Sequence, residues 1–281
     1  MRPALLRRLA LLTFIVALWT VSACRNGAQP ATTSNPAVSS GPVIGKRGGS
    51  LSYRVSSPPQ TFNYLKAADE PSLIVAFYLM GGRLAEFNHD SGKYVPGIAS
   101  NWQTASDGRT VEVTLRNGVK FSDGRPLTSE DVVFTFRALY DPRTASPAFR
   151  DAMLIGGRPI EASVVDANRL RLVFPEPVAA PENYLSNLAV LPRHVLEKDF
   201  SNGVFRDSYG IDSTSQEIIT AGAFTAASVI PGERITLRRN PHYWKTDAAG
   251  AQLPYLDEIV IEIVSDSNNA TARLKQGSLD I

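Results

Sequence analysis

The stretch from Thr110 to Pro142, TVEVTLRNGVKFSDGRPLTSEDVVFTFRALYDP, constrains the fold more than any other because its local signals agree with one another. Val111, Val113 and Leu115 alternate with Glu112, Thr114 and Arg116, the period of a strand with one buried face. Asn117-Gly118 supplies a turn with φ > 0, and a short strand is expected at Val119 to Phe121. Ser122-Asp123-Gly124 and Pro126 force a second change of direction. Thr128 is then placed to cap a helix whose first turn carries Glu130 and Asp131, the charge favoured at that end, with Leu127 stapled to Val132. Val132, Val133, Phe136, Leu139 and Tyr140 make one apolar stripe, and Asp141-Pro142 ends the helix because a residue before proline is pushed out of αR.

The same residues carry a resemblance. LRNGVKFSDGRPLTSEDVVFTFRALYDPRTASP strongly resembles the extracellular solute-binding proteins of family 5, the peptide/nickel class that serves ABC importers. Other segments are similar to that family: Gly48-Gly49 before a strand at Ser50 to Val55, Val95 to Trp102 (the family's PGLA-x-SW), and Leu191-Pro192-Arg193-His194 (its ILP-x-H). Two departures stand out. Thr61-Phe62-Asn63-Tyr64 replaces Thr-Leu-Asn-Pro, and Gly222-Ala223-Phe224 replaces Gly-Pro-Tyr or Gly-Pro-Phe, which restores an N–H. The resemblance implies an α/β, periplasmic-binding-protein-like fold of mixed sheets with packed helices. It further implies a discontinuous first subdomain (47–66 and 186–265), an inserted second one (67–185), and 266–281 as the start of a third domain absent from this chain.

The first 23 residues have a charged start, an apolar run from Leu9 to Trp19 too short to span a bilayer comfortably, and small residues Ser22 and Ala23, the plan of a secretory signal. Cys24 follows, the single cysteine of the chain, and Val21-Ser22-Ala23-Cys24 resembles a bacterial lipobox, which implies a diacylated thiol and a lipid-anchored, exported protein. A lone cysteine has no internal disulfide partner. Residues 24–46, rich in Ala, Thr, Ser, Asn, Pro and Gly, are expected to be a flexible tether. Arg2, Arg7 and Arg8 precede Cys24, so of 29 basic residues 26 remain against 27 acidic ones, and they are scattered. A nucleic-acid partner needs a clustered basic surface and is set aside.

Elsewhere the patterns predict a helix over Pro71 to Leu84 ending near Gly81-Gly82, and hairpins at 84–95 and 160–174. A further strand is expected at Arg234 to Arg239, then one holding Ile259, Ile261 and Ile263, and a helix from Asn268 capped by Ser267 and stopped by Gly277.

Catalysis needs a convergent set of groups. His89, His194 and His242 stand apart in sequence with no nucleophile elbow or metal spacing, and capping explains Asp123 and Asp131. Neither an enzyme, a metal centre nor a cofactor is expected. In the resembled family the segment after the Asn-Pro loop lends main-chain groups to an extended ligand, here Ala68-Asp69-Glu70; Asp69 and Glu70 face a cationic ligand terminus or simply begin a helix. A ligand-side aromatic in the family's TASPY setting falls on Ala148, with Phe149 next to it. The implied function is that of a monomeric substrate-binding component which delivers a solute, oligopeptides foremost, to permease and ATPase subunits. A nickel chelate, haem or oligosaccharide as ligand, a lipid-anchored sensor or scaffold, and an exported hydrolase completed by a missing domain stay open.

Overall fold

Strands form where apolar residues alternate. A computed structural model of the protein describes residues 45–144 and 146–281. Its strands are β1 (Ser50–Val55), β2 (Ala85–Asn88), β3 (Lys93–Pro96), β4 (Ala99–Thr104), β5 (Thr110–Leu115), β6 (Glu161–Asp166), β7 (Arg169–Val173), β8 (Phe224–Ile230), β9 (Arg234–Arg239) and β10 (Glu258–Ile263). They build one four-stranded sheet ordered β1-β10-β9-β8, a β2-β3 ribbon, and a second four-stranded sheet ordered β4-β5-β7-β6. All neighbours are antiparallel except β1 and β10. A parallel pair needs a long crossover, and here everything from β2 to β9 lies between the two strands. The expected signal at residues 1–23, the expected lipidation at Cys24 and the part of the expected tether up to residue 44 lie outside the described residues. Among the described residues no helix is long and apolar enough to cross a membrane.

Central strand β5 buries Val111, Val113 and Leu115, and the register sets Val111 against Leu172 and Val113 against Leu170 of β7, all inside the main core. At the sheet edge β6 behaves differently. Val164, expected on the inner face, is 45% exposed, because β6 has a neighbour on one side only and its register slips between Val164 and Asp166.

Helix positions follow the sequence with four corrections. The segment expected as a helix over Pro71 to Leu84 is a single turn, α1 (Glu70–Ser72), continued as a π-helix over Leu73–Leu79. Its last bond runs from Met80 N–H to Val75 O at 3.0 Å, five residues back. The strand expected at Val119 to Phe121 is reduced to one bridge, Lys120 with Pro126, since Pro126 offers no N–H to extend a ladder. The third concerns α2 (Ser129–Tyr140), which buries Phe134 as well as Val132, Phe136 and Leu139, while Val133 and Tyr140 are only half-buried. Helices α3 (Pro147–Ala152), α4 (Glu182–Ser186) and α5 (Arg193–Ser201) follow. Phe134 meets Phe200 of α5 edge-on at 5.7 Å, so α2 is held between two layers and a one-face stripe could not show it. Fourth, α6 (Ser267–Lys275) is capped by Asp266, whose carboxylate accepts from Asn269 N–H at 2.6 Å, in place of Ser267. Gly277, at φ 72°, ends it, and the chain returns beside β1, where Asp280 N–H donates to Ser52 O at 3.0 Å.

Thr128 occupies the N-cap position of α2, as expected, and forms a reciprocal capping box with Asp131 three residues on. The Asp131 Oδ2 accepts from the Thr128 N–H at 2.8 Å and from the Thr128 hydroxyl at 3.2 Å, and its Oδ1 accepts from the Arg193 N–H at 3.0 Å. One side chain thereby fixes the start of both α2 and α5. Thr135 extends the seam, accepting from Leu191 N–H at 2.9 Å and donating to Asp131 O at 2.7 Å.

Candidate functional site

The loop from Thr61 to Ala67 turns inward. Asn63 is buried, with its side-chain amide donating to Phe205 O at 3.1 Å and its main-chain carbonyl receiving the N–H groups of Lys66 and Ala67 at 3.0 and 3.1 Å. Tyr64 stands where the resembled family has proline, and the structure gives it a use. Its hydroxyl donates to Ala189 O at 2.7 Å, and burial raises its pKa far above the ordinary value, so it remains a donor. Its ring packs against Phe77 at 5.5 Å and Phe149 at 5.4 Å.

Phe149 also meets Phe77 edge-on at 6.1 Å, and the turn leading to it is tied down by Ser146 N–H donating to Leu65 O at 2.7 Å. Phe149 is therefore half-buried in an aromatic cluster, whereas Ala148 is exposed. Of the two neighbours, Phe149 is the one the fold brings to the loop before Ala68. Beyond Phe77 the π-helix carries Tyr78, 59% exposed, with its ring 5.1 Å from that of Phe77. The Arg83 guanidinium lies 5.5 Å from both rings, and among the described residues it has no carboxylate partner. In the helix expected over Pro71 to Leu84, Tyr78 counts among the residues available for burial, and its exposure corrects that reading; nothing in the sequence singles out Arg83. The signal was there in part, an aromatic pair followed by Gly81-Gly82 and an arginine, but the stacking depends on the π-helical turn.

The three residues of the predicted main-chain segment divide. Asp69 caps α1, its Oδ1 accepting from Ser72 N–H at 2.8 Å and its Oδ2 from the Ser72 hydroxyl at 2.7 Å; Ser72 Oγ in turn accepts from Gln60 N–H at 2.8 Å. Both carboxylate oxygens are engaged, so of the two roles expected for it the helix start is the one the geometry displays. Glu70 and Ala68 are exposed. Among the described residues neither the N–H nor the C=O of Ala68 has a hydrogen-bond partner. Ala68 thus offers an exposed, unpaired peptide group three residues after Leu65, whose carbonyl accepts the Ser146 N–H at the start of the Phe149 turn.

The histidines do not converge. His89 packs on Phe87 at the β2-β3 tip, His242 faces Gly124, and His194 Nε2 lies 2.8 Å from Asp123 Oδ2. Burial acts upward on the Asp123 pKa, but the Arg125 N–H and His194 bring it below the ordinary value. Among the described residues no three His, Cys, Asp or Glu side chains cluster as a metal site would need.

Known proteins share this sequence and architecture. Residues 93–281 match the family described as "Bacterial extracellular solute-binding proteins, family 5 Middle". The chain belongs to this family. A probable ABC transporter-binding protein of Deinococcus radiodurans is 32% identical over 228 residues, a match covering 79% of this chain and 38% of that protein. The periplasmic murein peptide-binding protein MppA of Escherichia coli is 26% identical over 257 residues, covering 87% of this chain and 45% of MppA. The family-5 chain thus spans less than half the length of these relatives. Among solved structures, the ABC transporter substrate-binding protein CtaP of Listeria monocytogenes superposes with a TM-score of 0.65 at 27% identity, covering 83% of this chain and 44% of CtaP. The oligopeptide-binding protein AppA of Bacillus subtilis, in complex with a nonapeptide, superposes with a TM-score of 0.68 at 23% identity, over 83% of this chain and 44% of its own, and shares the fold. The mixed α/β architecture is that of the periplasmic binding proteins.

Proposed function

We propose that this family-5 chain is part of the substrate-binding component of an ABC importer, and that its solute is an oligopeptide held in extended form. The observation that carries this is the exposed, unpaired peptide group of Ala68, at the end of the loop whose Tyr64 ring packs on Phe77 and Phe149. A ligand strand would pair with Ala68 by main-chain bonds, independent of its sequence, and lay side chains on the aromatic patch. Phe149 is the contact residue of the α3 turn. Glu70, exposed at the start of α1, would face a cationic ligand terminus, and Arg83, with no acidic partner among the described residues, would receive a ligand carboxylate.

The division into a first subdomain of 47–66 and 186–265 and an inserted one of 67–185 is part of the same proposal, supported by the two four-stranded sheets. One draws strands from residues 50–55 and 224–263, and the other from 99–173. Closure of lobes on the bound solute would present it to the permease, with the ligand selecting the closed state.

Calorimetry with a mixed tri- to pentapeptide library tests the ligand class. Ala68→Pro, which removes the N–H, and Phe149→Ala should each weaken binding about tenfold. Asp69→Asn, at a residue spent on capping, should leave affinity within about twofold. Undiminished binding in both of the first two variants would place the ligand elsewhere.

Export and lipid anchoring at Cys24 complete the proposal, supported by the lipobox-like Val21 to Cys24 and by the absence of a second cysteine. Labelled palmitate should enter the wild type and not Cys24→Ala. Equal incorporation in both would end the idea.

A further inference from the structure

Between the turns at one end of the β4-β5-β7-β6 sheet and the loop after β9 lies a cavity of about 670 Å3. It shares no residue with the patch around Phe77. Arg116 and Asn117 come from the turn after β5, Asn168 from the turn between β6 and β7, Ser100 from β4, and Trp244 and Thr246 from the loop after β9. Two contacts hold Arg116 in place. Its guanidinium carbon lies 4.5 Å from the centre of the Trp244 ring, and its Nε donates to Gly97 O at 2.7 Å. Among the described residues its two terminal nitrogens have no acceptor and no carboxylate pairs with it. Lys245, the other cation of the wall, is taken up by Glu86, Nζ to Oε2 at 2.5 Å.

The cavity therefore presents one oriented, uncompensated guanidinium. Around it neutral polar groups alternate with the apolar Pro96, Leu115 and Val119. Asn168 Nδ2 donates to Asn117 Oδ1 at 2.9 Å, which leaves the Asn117 amide nitrogen as donor and the Asn168 amide oxygen as acceptor. Ser100 donates to Thr114 O at 3.1 Å and keeps its lone pairs. An apolar ligand would strand these groups, and a cationic one would meet Arg116. A carboxylate accepts bidentate bonds from a guanidinium fork, and hydroxyl groups can satisfy donors and acceptors in turn.

We propose that this cavity is a second binding site, for a small hydroxylated carboxylate of the sugar-acid class, with the carboxylate on Arg116 and the hydroxyl groups on Asn117 and Asn168. Trp244 acts as a positioning residue, fixing the plane of the guanidinium. The proposal does not depend on the peptide site.

Sodium glucuronate titrated into the purified protein by calorimetry, with glucose as its neutral counterpart, tests it. Glucuronate should bind and glucose bind at least about tenfold more weakly, while Arg116→Gln should cost roughly ten- to a hundredfold, the loss of one charge-assisted pair. Asn117→Asp keeps a turn-forming residue before Gly118 and an acceptor for Asn168, but adds a like charge to the wall; it should weaken glucuronate about tenfold. That variant leaves the Arg116–Trp244 stack intact, so its result stands even if Arg116→Gln does not fold. Phe149→Ala should leave glucuronate binding unchanged. No heat at millimolar glucuronate, equal binding of glucose, or an unaltered affinity in Asn117→Asp would each overturn the proposal and leave the stack as a structural tie alone.

Discussion

Asp131→Ala is expected to destabilise the protein by roughly 2–5 kcal/mol, the cost of stranding two main-chain donors, the Thr128 N–H and the Arg193 N–H, at about 1–3 kcal/mol each. Both bonds end on one carboxylate that is 5% exposed, so water cannot readily replace it. The loss should exceed that of Thr128→Ala, which removes a 3.2 Å hydroxyl contact and leaves the N–H bond to Asp131 in place; a cap substitution of that kind costs about 0.5–2 kcal/mol. Urea unfolding of the two variants beside the wild type gives the comparison through the midpoints, provided the slope is unchanged. Equal losses would show that the threonine half of the capping box carries as much as the carboxylate half. Peptide affinity should be untouched in Thr128→Ala, because the bonds of its cap run within α2 and to the start of α5, not to Ala68.

Gly222→Ala is the second large effect, and it acts by crowding. A Cβ there would lie 2.3 Å from the Met80 carbonyl oxygen and 2.4 Å from its carbonyl carbon, atoms of the backbone that no rotamer change can move aside. The same peptide is bonded on both sides. Gly222 N–H donates to Met80 O at 2.9 Å, and the buried Asn240 amide donates to Gly222 O at 2.9 Å. Relief would have to break one of these bonds or shift the end of the π-helix, and the expected cost is about 3 kcal/mol. Because Met80 closes the helix that carries Phe77 and Tyr78, peptide binding should fall together with stability. An alanine variant with wild-type midpoint and affinity would show that the junction is looser than these distances imply.

Much of the architecture could be read from local chemistry. Thr110–Leu115 is a strand because its alternation is strict, Asn117-Gly118 turns with Gly118 at φ 76°, and the hairpin of β6 and β7 follows from apolar residues either side of Asp166-Ala167-Asn168. The site was legible only in part. Phe149 and Ala68 could be placed by resemblance, and the structure sets Phe149 on Tyr64, four residues before Ala68. The placements of Arg83, Tyr78 and Trp244 could not be read there, because each acquires its meaning from a partner distant in sequence or from a π-helical turn with no simple periodic signature.

The boundary between the two kinds of information follows from the range of the forces. Sequence by itself determined the elements whose stability is local: alternation, turn glycines, the stop at Asp141-Pro142, and the acidic first turn of α2. Tertiary structure alone decided which acceptor each buried donor finds. It gave the Asp131 carboxylate of the α2 capping box a second donor, the Arg193 N–H, 62 residues away. Likewise it buried Phe134 because α5 covers a second face of α2, and it exposed Val164 because β6 has no outer neighbour. Burial and hydrogen-bond satisfaction are properties of the assembled core, so no window of sequence contains them.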